Sequence, residues 1–264
     1  INVYFFTDLL GYLNPFVTGG PNAYTFLPEK QRKENTSFAE AGGFSYLVST
    51  YKKLSASTKN NLLLCGGNFL YGTPLCDATK GEAVIDCLNA AGVKAAVLGE
   101  QDFLVGQEQL GKLIKKATFP VLGANVIVQG TDNLFPGLKP YIIIDNNGFK
   151  MAVLGLVDSE TPKLIPGEYV KGLSFTDPKV TLAKYYSALE SSSDAIVIMA
   201  NQRFYDNMLI ASDFENIIPG KHKKPVFIIG GDVRSYSASA DPLNVNDILI
   251  LEAGTKGRFL GHIN

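Results

Sequence analysis

The sequence predicts an α/β fold, a four-layer α-β-β-α sandwich of two mixed sheets. Three observations predict it. Apolar runs of strand length alternate with stretches of helical spacing. Asn147-Gly148 joins two apolar runs and calls for an antiparallel hairpin, so the sheets are mixed. About ten strand segments are more than one open twisted sheet ordinarily holds, so two packed sheets with helices outside are expected.

"INVYFF" (1–6) is the first strand. Segment 14–36, rich in Pro, Gly, Asn and charge, reads as an exposed loop, with a partner-binding insertion as the alternative. "SFAEAGGFSYLVSTYKKL" (37–54) has helical spacing, and Ser37 with Glu40 makes a capping-box pattern at its start. "NLLLC" (61–65) is a short buried strand. "KGEAVIDCLNAAG" (80–92) is a helix closed by Gly92. "KAAVLG" (94–99) is a strand, "QEQLGKLIKKA" (107–117) a helix and "FPVLGANV" (119–126) a strand. The hairpin covers "PYIIIDNNGFKMAVLGLV" (140–157). "DPKVTLAKYYSALES" (177–191) is a helix and "DAIVIMA" (194–200) a buried strand. "KPVFIIGG" (224–231), "DILILEAG" (247–254) and "GRFLGHI" (257–263) are three more strands, the last two read as an antiparallel pair. "GGFSY" and "GTPL" read as ordinary turns.

The chain has 264 residues, about half of them apolar, enough for a sizeable core. Net charge is −1, which argues against nucleic-acid or anionic-membrane binding driven by bulk charge. No apolar run is long enough to span a membrane, and "INVYFF" lacks the basic start of a signal peptide. Cys65, Cys76 and Cys87 lack Cys-x-x-Cys spacing and read as buried thiols, one disulfide with one free thiol being the alternative. Cys65, at a strand end, is also a conceivable reactive thiol. His222 reads as a solvated loop residue and His262 as an exposed or packed strand residue. Two histidines cannot build a histidine-rich metal centre, although carboxylate and amide ligands remain available.

The strand ends carry a further pattern. "FFTDLLGYL", "LLLCGGNFLYGTPLCDATKGEAVIDCLNAAG", "VLGEQDFLVGQEQL", "FPVLGANV", "FIIGGDVRS" and "LEAGTKGRFLGHI" follow one another in order. Together they resemble the blocks of the calcineurin-like metallophosphoesterases, in the branch of the 5′-nucleotidases and bacterial thiosulfohydrolases. The resemblance spans residues 1–264 as one domain, without the C-terminal substrate-binding domain of many 5′-nucleotidases. It implies the four-layer sandwich and a periplasmic or extracellular location.

It also implies a two-metal hydrolase, which needs ligands that offset about four positive charges. Asp8 keeps the first carboxylate. Leu10 stands at a His position and has no lone pair to offer. Asn68 replaces the bridging Asp, Glu100 replaces an Asn ligand, and Gln101 replaces the catalytic His with an amide that does not titrate near neutrality. Asn201, Asp232 and Arg234 stand at the three remaining His positions. Arg234 stays protonated and repels a cation; a pairing with Asp8, Glu100 or Asp232 is expected. Asp102 is expected to be structural. The expected reading is a non-catalytic binding module or subunit of a complex, with protein partners, no catalytic residue and no cofactor. The alternatives are a divergent hydrolase of phosphoesters or sulfur esters, with one Mg or Ca ion held by Asp8, Glu100 and Asp232, and an anion or nucleotide binder using Arg234 and Arg203.

Overall fold

The computed structural model describes residues 1–18, 39–220, 222–234 and 242–264. Most of segment 14–36, and the Ser37 cap, lie outside the described residues.

Two large sheets form the centre. In the first, β1 (Asn2–Phe6), β4 (Asn61–Cys65), β5 (Ala95–Val97) and β6 (Val121–Leu122) run parallel, and β15 (Gly261–Ile263) pairs antiparallel with β1. In the second, β9 (Phe149–Val157), β11 (Ala195–Asn201), β12 (Val226–Gly231) and β14 (Ile248–Glu252) run parallel. β8 (Tyr141–Asn146) and β13 (Leu243–Val245) flank them antiparallel. The mixed sheets agree with the expectation.

Alternation along the strands divides the core in two. Met151, Val153, Val197, Met199 and Ile229 turn inward and join the first sheet's Val3, Phe5, Leu63 and Val97. Ala152, Leu154, Ile196, Ile198 and Ile228 turn outward and bury Leu182, Leu189 and Phe214. These last belong to α6 (Pro178–Ser192) and α8 (Phe214–Ile217); α7 (Phe204–Ser212) lies between the two in sequence. Strands covered on both faces read as unbroken apolar runs, which is how 194–200 appears in the sequence.

The first sheet is served by α1 (Phe44–Ser55), α3 (Glu82–Ala91) and α4 (Gln107–Lys116). Their apolar residues Phe44, Leu47, Ile85, Leu88, Leu110 and Leu113 join the same core. Two shorter helices, α2 (Pro74–Thr79) and α5 (Thr161–Leu164), follow β4 and β9.

Several expectations need correction. α1 begins at Phe44 rather than 37. Residues Ala39–Ala41 are instead strand β3, paired with β2 (Phe16–Thr18). Gly42 and Gly43 at φ 66° and 77° end the strand and turn the chain into the helix, so "GGFSY" is a helix start. "GTPL" starts α2: the Thr73 hydroxyl accepts from Cys76 N–H and Pro74 takes the first turn. The run 119–126 divides into β6 and β7 (Val126–Val128), and β7 pairs with β10 (Leu173–Phe175). The last two strands are not a pair: β14 lies in the second sheet and β15 in the first.

Candidate functional site

The parallel strands bring their carboxyl ends together, where open α/β sheets place their sites. β1 leads into Asp8, β4 into Asn68 and β5 into Glu100 and Gln101. From the second sheet, β11 ends on Asn201, β12 leads into Asp232 and Arg234, and β9 into Asp158. Asp8, Leu10 and Asn68 are held at φ 47°, 51° and 52°, and the two turns are tied by Asp8 N–H to Gly67 O and Leu10 N–H to Asn68 O. Left-handed backbone costs an L-residue roughly 1 kcal/mol or more. The interlocking bonds hold it.

Asn68 is the hub. Its Nδ2 lies 2.9 Å from Asp8 Oδ1, 3.1 Å from Glu100 Oε2 and 3.2 Å from Asn201 Oδ1. Its Oδ1 accepts the Gln101 backbone N–H at 2.9 Å. A backbone N–H can only donate, so this bond fixes which end of the amide faces the carboxylates. Asn201 Nδ2 donates to Gly66 O and, at 3.4 Å, to Asp8 Oδ1. Such contact requires Gly99: a Cβ there would lie 2.1 Å from Asn68 Oδ1.

Asp8 is sealed from solvent. Burial pushes its carboxyl well above the ordinary range, and the charges of Glu100 and Asp232 add to the rise against the Asn68 and Asn201 bonds. Burial likewise raises Glu100, with Asp232 adding and Arg234 opposing. Asp102 sits behind them. Its oxygens accept N–H bonds from Asn68, Phe69, Leu70 and Gly99, and burial pushes it up to about 7 against their pull. It holds the β4 and β5 loops in register, the expected structural part.

Arg234 lies across two carboxylates. Its Nε donates to Asp232 Oδ1 at 2.8 Å and Oδ2 at 2.9 Å, and Nη2 bonds Asp232 Oδ2 as well. Nη2 also reaches Asp158 Oδ2 at 2.7 Å. Both carboxylates hold its charged form above the usual guanidinium range. The pairing with Asp232 is the expected one. Asp158 was missed in the sequence, although a carboxylate closing a parallel strand ("LGLVD") was a usable signal.

Other expected features separate from this cluster. Arg203 bonds Asp206 at 2.8 Å and is half exposed. None of the three cysteines is paired; Cys65 and Cys76 are buried and Cys87 partly so. Cys65 is fully buried, and burial pushes its thiol well up, which disfavours the reactive thiolate. His222 is more than a solvated loop residue: Nδ1 lies 3.0 Å from Lys224 O, Nε2 3.3 Å from Asn246 O, and the ring packs on Phe214. His262 stacks on Tyr4 with Nε2 2.9 Å from Asn2 Oδ1.

No family model matches the chain. The 5′-nucleotidase of Vibrio cholerae is 28% identical over 221 residues, covering 76% of this chain and 40% of that protein. The NAD 5′-nucleotidase of Haemophilus influenzae is 32% identical over 187 residues, covering 69% of this chain and 30% of that protein. A solved sulfate thiohydrolase, SoxB of Thermus thermophilus, superposes with a TM-score of 0.81 at 19% identity, covering 99% of this chain and 53% of that one. The chain belongs to the metallophosphoesterases of the 5′-nucleotidase type. This metallophosphoesterase domain spans about 40% of the length of curated relatives such as the Vibrio enzyme.

The metallophosphoesterase family implies two metal ions at these strand ends, and the donor chemistry can be tested against them. A bridging ligand must offer lone pairs to both cations; Asn68 turns N–H groups toward Asp8 and Glu100. A second cation would need lone pairs where Arg234 places N–H groups. Among the described residues, no group of three or more His, Cys, Asp or Glu side chains is arranged to hold a metal ion.

Proposed function

We propose that this metallophosphoesterase domain is non-catalytic and acts by binding, as a recognition module or subunit of a protein complex. One observation carries the reading: N–H donors of Asn68 and Arg234 stand between the carboxylates that would otherwise bind cations. Asn68 donates to Asp8 and Glu100, and Arg234 to Asp232 and Asp158, so internal donors take the part that cations would play beside these carboxylates. Gln101 completes the loss, because an amide cannot act as general acid. The anion-binding reading gains nothing here, since the Arg203 and Arg234 guanidinium groups are both engaged by carboxylates. An exported location fits the likeness to snake-venom 5′-nucleotidases.

The second reading, a divergent metal-dependent hydrolase, rests on the nucleotidase names of the relatives. Elemental analysis of protein purified without chelator separates the two. The expected result is no stoichiometric Mn, Zn, Fe, Ni, Mg or Ca, and no hydrolysis of AMP, an aryl phosphodiester or an S-sulfonated thiol with any of these metals added. Two equivalents of bound metal with turnover would overturn the proposal.

A further inference from the structure

The four edges of the two large sheets differ in length. β15, β6 and β13 have three, two and three residues, whereas β8 has six. A long edge offers its N–H and C=O groups to another strand unless charge, Pro or a bulge blunts it. β8 reads Tyr-Ile-Ile-Ile-Asp-Asn; Pro140 precedes it and Asp145 is its one charge, so the stretch free of any such block is Tyr141 to Ile144.

Two bonds fix which β8 groups face outward. Gly155 N–H donates to Pro140 O at 3.2 Å, making 140 and 155 a hydrogen-bonded pair across the hairpin. Lys150, opposite Asp145, turns its carbonyl the other way, to Asp194 N–H at 2.7 Å. Alternation along an antiparallel pair then directs the N–H and C=O groups of Tyr141, Ile143 and Asp145 away from β9. Among the described residues, no hydrogen bond engages these outward backbone groups. Ile143 is 36% exposed, while Ile142 and Ile144 pack on the inner core.

We propose that β8 is a self-association edge, which a second copy of this chain meets with its own β8, antiparallel, about a two-fold axis through Ile143. The edge is complementary to itself. The two-fold sets Ile143 against the partner's Ile143 and Tyr141 against the partner's Asp145. Every outward residue meets an outward residue, so each pair exchanges two N–H···O bonds. A one-residue slip sets outward groups against inward ones and loses the ladder. The apolar Ile143 side chains cover each other, and the phenol of Tyr141 comes beside a carboxylate. An isologous contact of this kind closes as a dimer and does not propagate. It fuses two six-stranded sheets into one.

A strand pair covers less surface than a standard interface, so the dimer is weak and depends on protein concentration. Sedimentation velocity from about 5 to 300 µM reads this directly. The wild type should pass from monomer to dimer, and Ile143→Pro and Ile143→Lys should stay monomeric. Because the Ile143 N–H points outward, Pro removes no bond to β9. Hydrogen exchange on the wild type is a second measurement, independent of any variant. The amides of Tyr141, Ile143 and Asp145 should slow as concentration rises. A wild type that stays monomeric, or amides indifferent to concentration, would overturn the proposal. So would a dimer that both folded variants retain. The metal analysis above is unaffected by either result.

Discussion

The side-chain amide of Asn68 donates to Asp8 Oδ1 at 2.9 Å, at the meeting of the β1 and β4 loops. An Asp at position 68 would turn this attraction into repulsion among buried carboxylates that already include Glu100. Asn68→Asp should therefore lower the melting temperature, more at alkaline than at acid pH. Added Mn²⁺ should not restore it, because Arg234 remains and Leu10 supplies no ligand. Thermal melts with and without metal check this; full recovery would mean a latent metal site.

Arg234 ties together two buried carboxylates, Asp232 and Asp158. Truncation to Ala leaves both without their cation and should cost about 3 kcal/mol of unfolding free energy in urea titrations. Arg234→Lys should recover only part, because an ammonium lacks the planar fork that spans both partners. Equal stability of all three proteins would show that the pair is incidental.

Asp102 receives four backbone N–H bonds. In Asp102→Asn, the new NH₂ group must face two N–H donors. The expected loss is about 2–4 kcal/mol, with the loops around Asn68 and Gly99 exchanging faster. Hydrogen exchange at Phe69 and Leu70 is the most direct readout.

The buried carboxyls also set a pH dependence. Asp8 and Glu100 are raised, and Asp102 is raised from 3.8 to about 7. A raised folded value means that the native state binds more protons than the unfolded chain between the two values. Stability from these groups is therefore present at low pH and lost as pH rises through the folded value. For Asp102 that window runs from about 4 to about 7. The melting temperature should be higher near pH 5.5 than near pH 7.5, by about a few degrees. Asp102→Asn should flatten the difference. A melting temperature that climbs steadily toward alkaline pH would contradict this.

The hairpin at Asn147-Gly148 was legible because turn chemistry and alternation are local. The unbroken run 194–200 was legible because both its faces are covered. The start of α1 was not: Ser37 and Glu40 form a plausible cap, and only the pairing of Ala39–Ala41 with Phe16–Thr18 overrides it. β14 and β15 are separated by a short loop, yet they serve different sheets, a long-range choice that no local pattern records. In the site, the convergence of Asp8, Asn68, Glu100, Asn201, Asp232 and Arg234 could be anticipated, since each closes a strand. The orientation of the Asn68 amide could not, because the backbone of Gln101 decides it. Nor could Asp158, whose role depends on where Arg234 reaches.

The left-handed turns at Asp8, Leu10 and Asn68 have an engineering consequence. Sites built on loops are held less precisely than sites on helices or strands, and here the loop backbones are already locked by hydrogen bonds. A designer would change side chains only, starting with the donors of Asn68 and Arg234, and leave the chain trace alone.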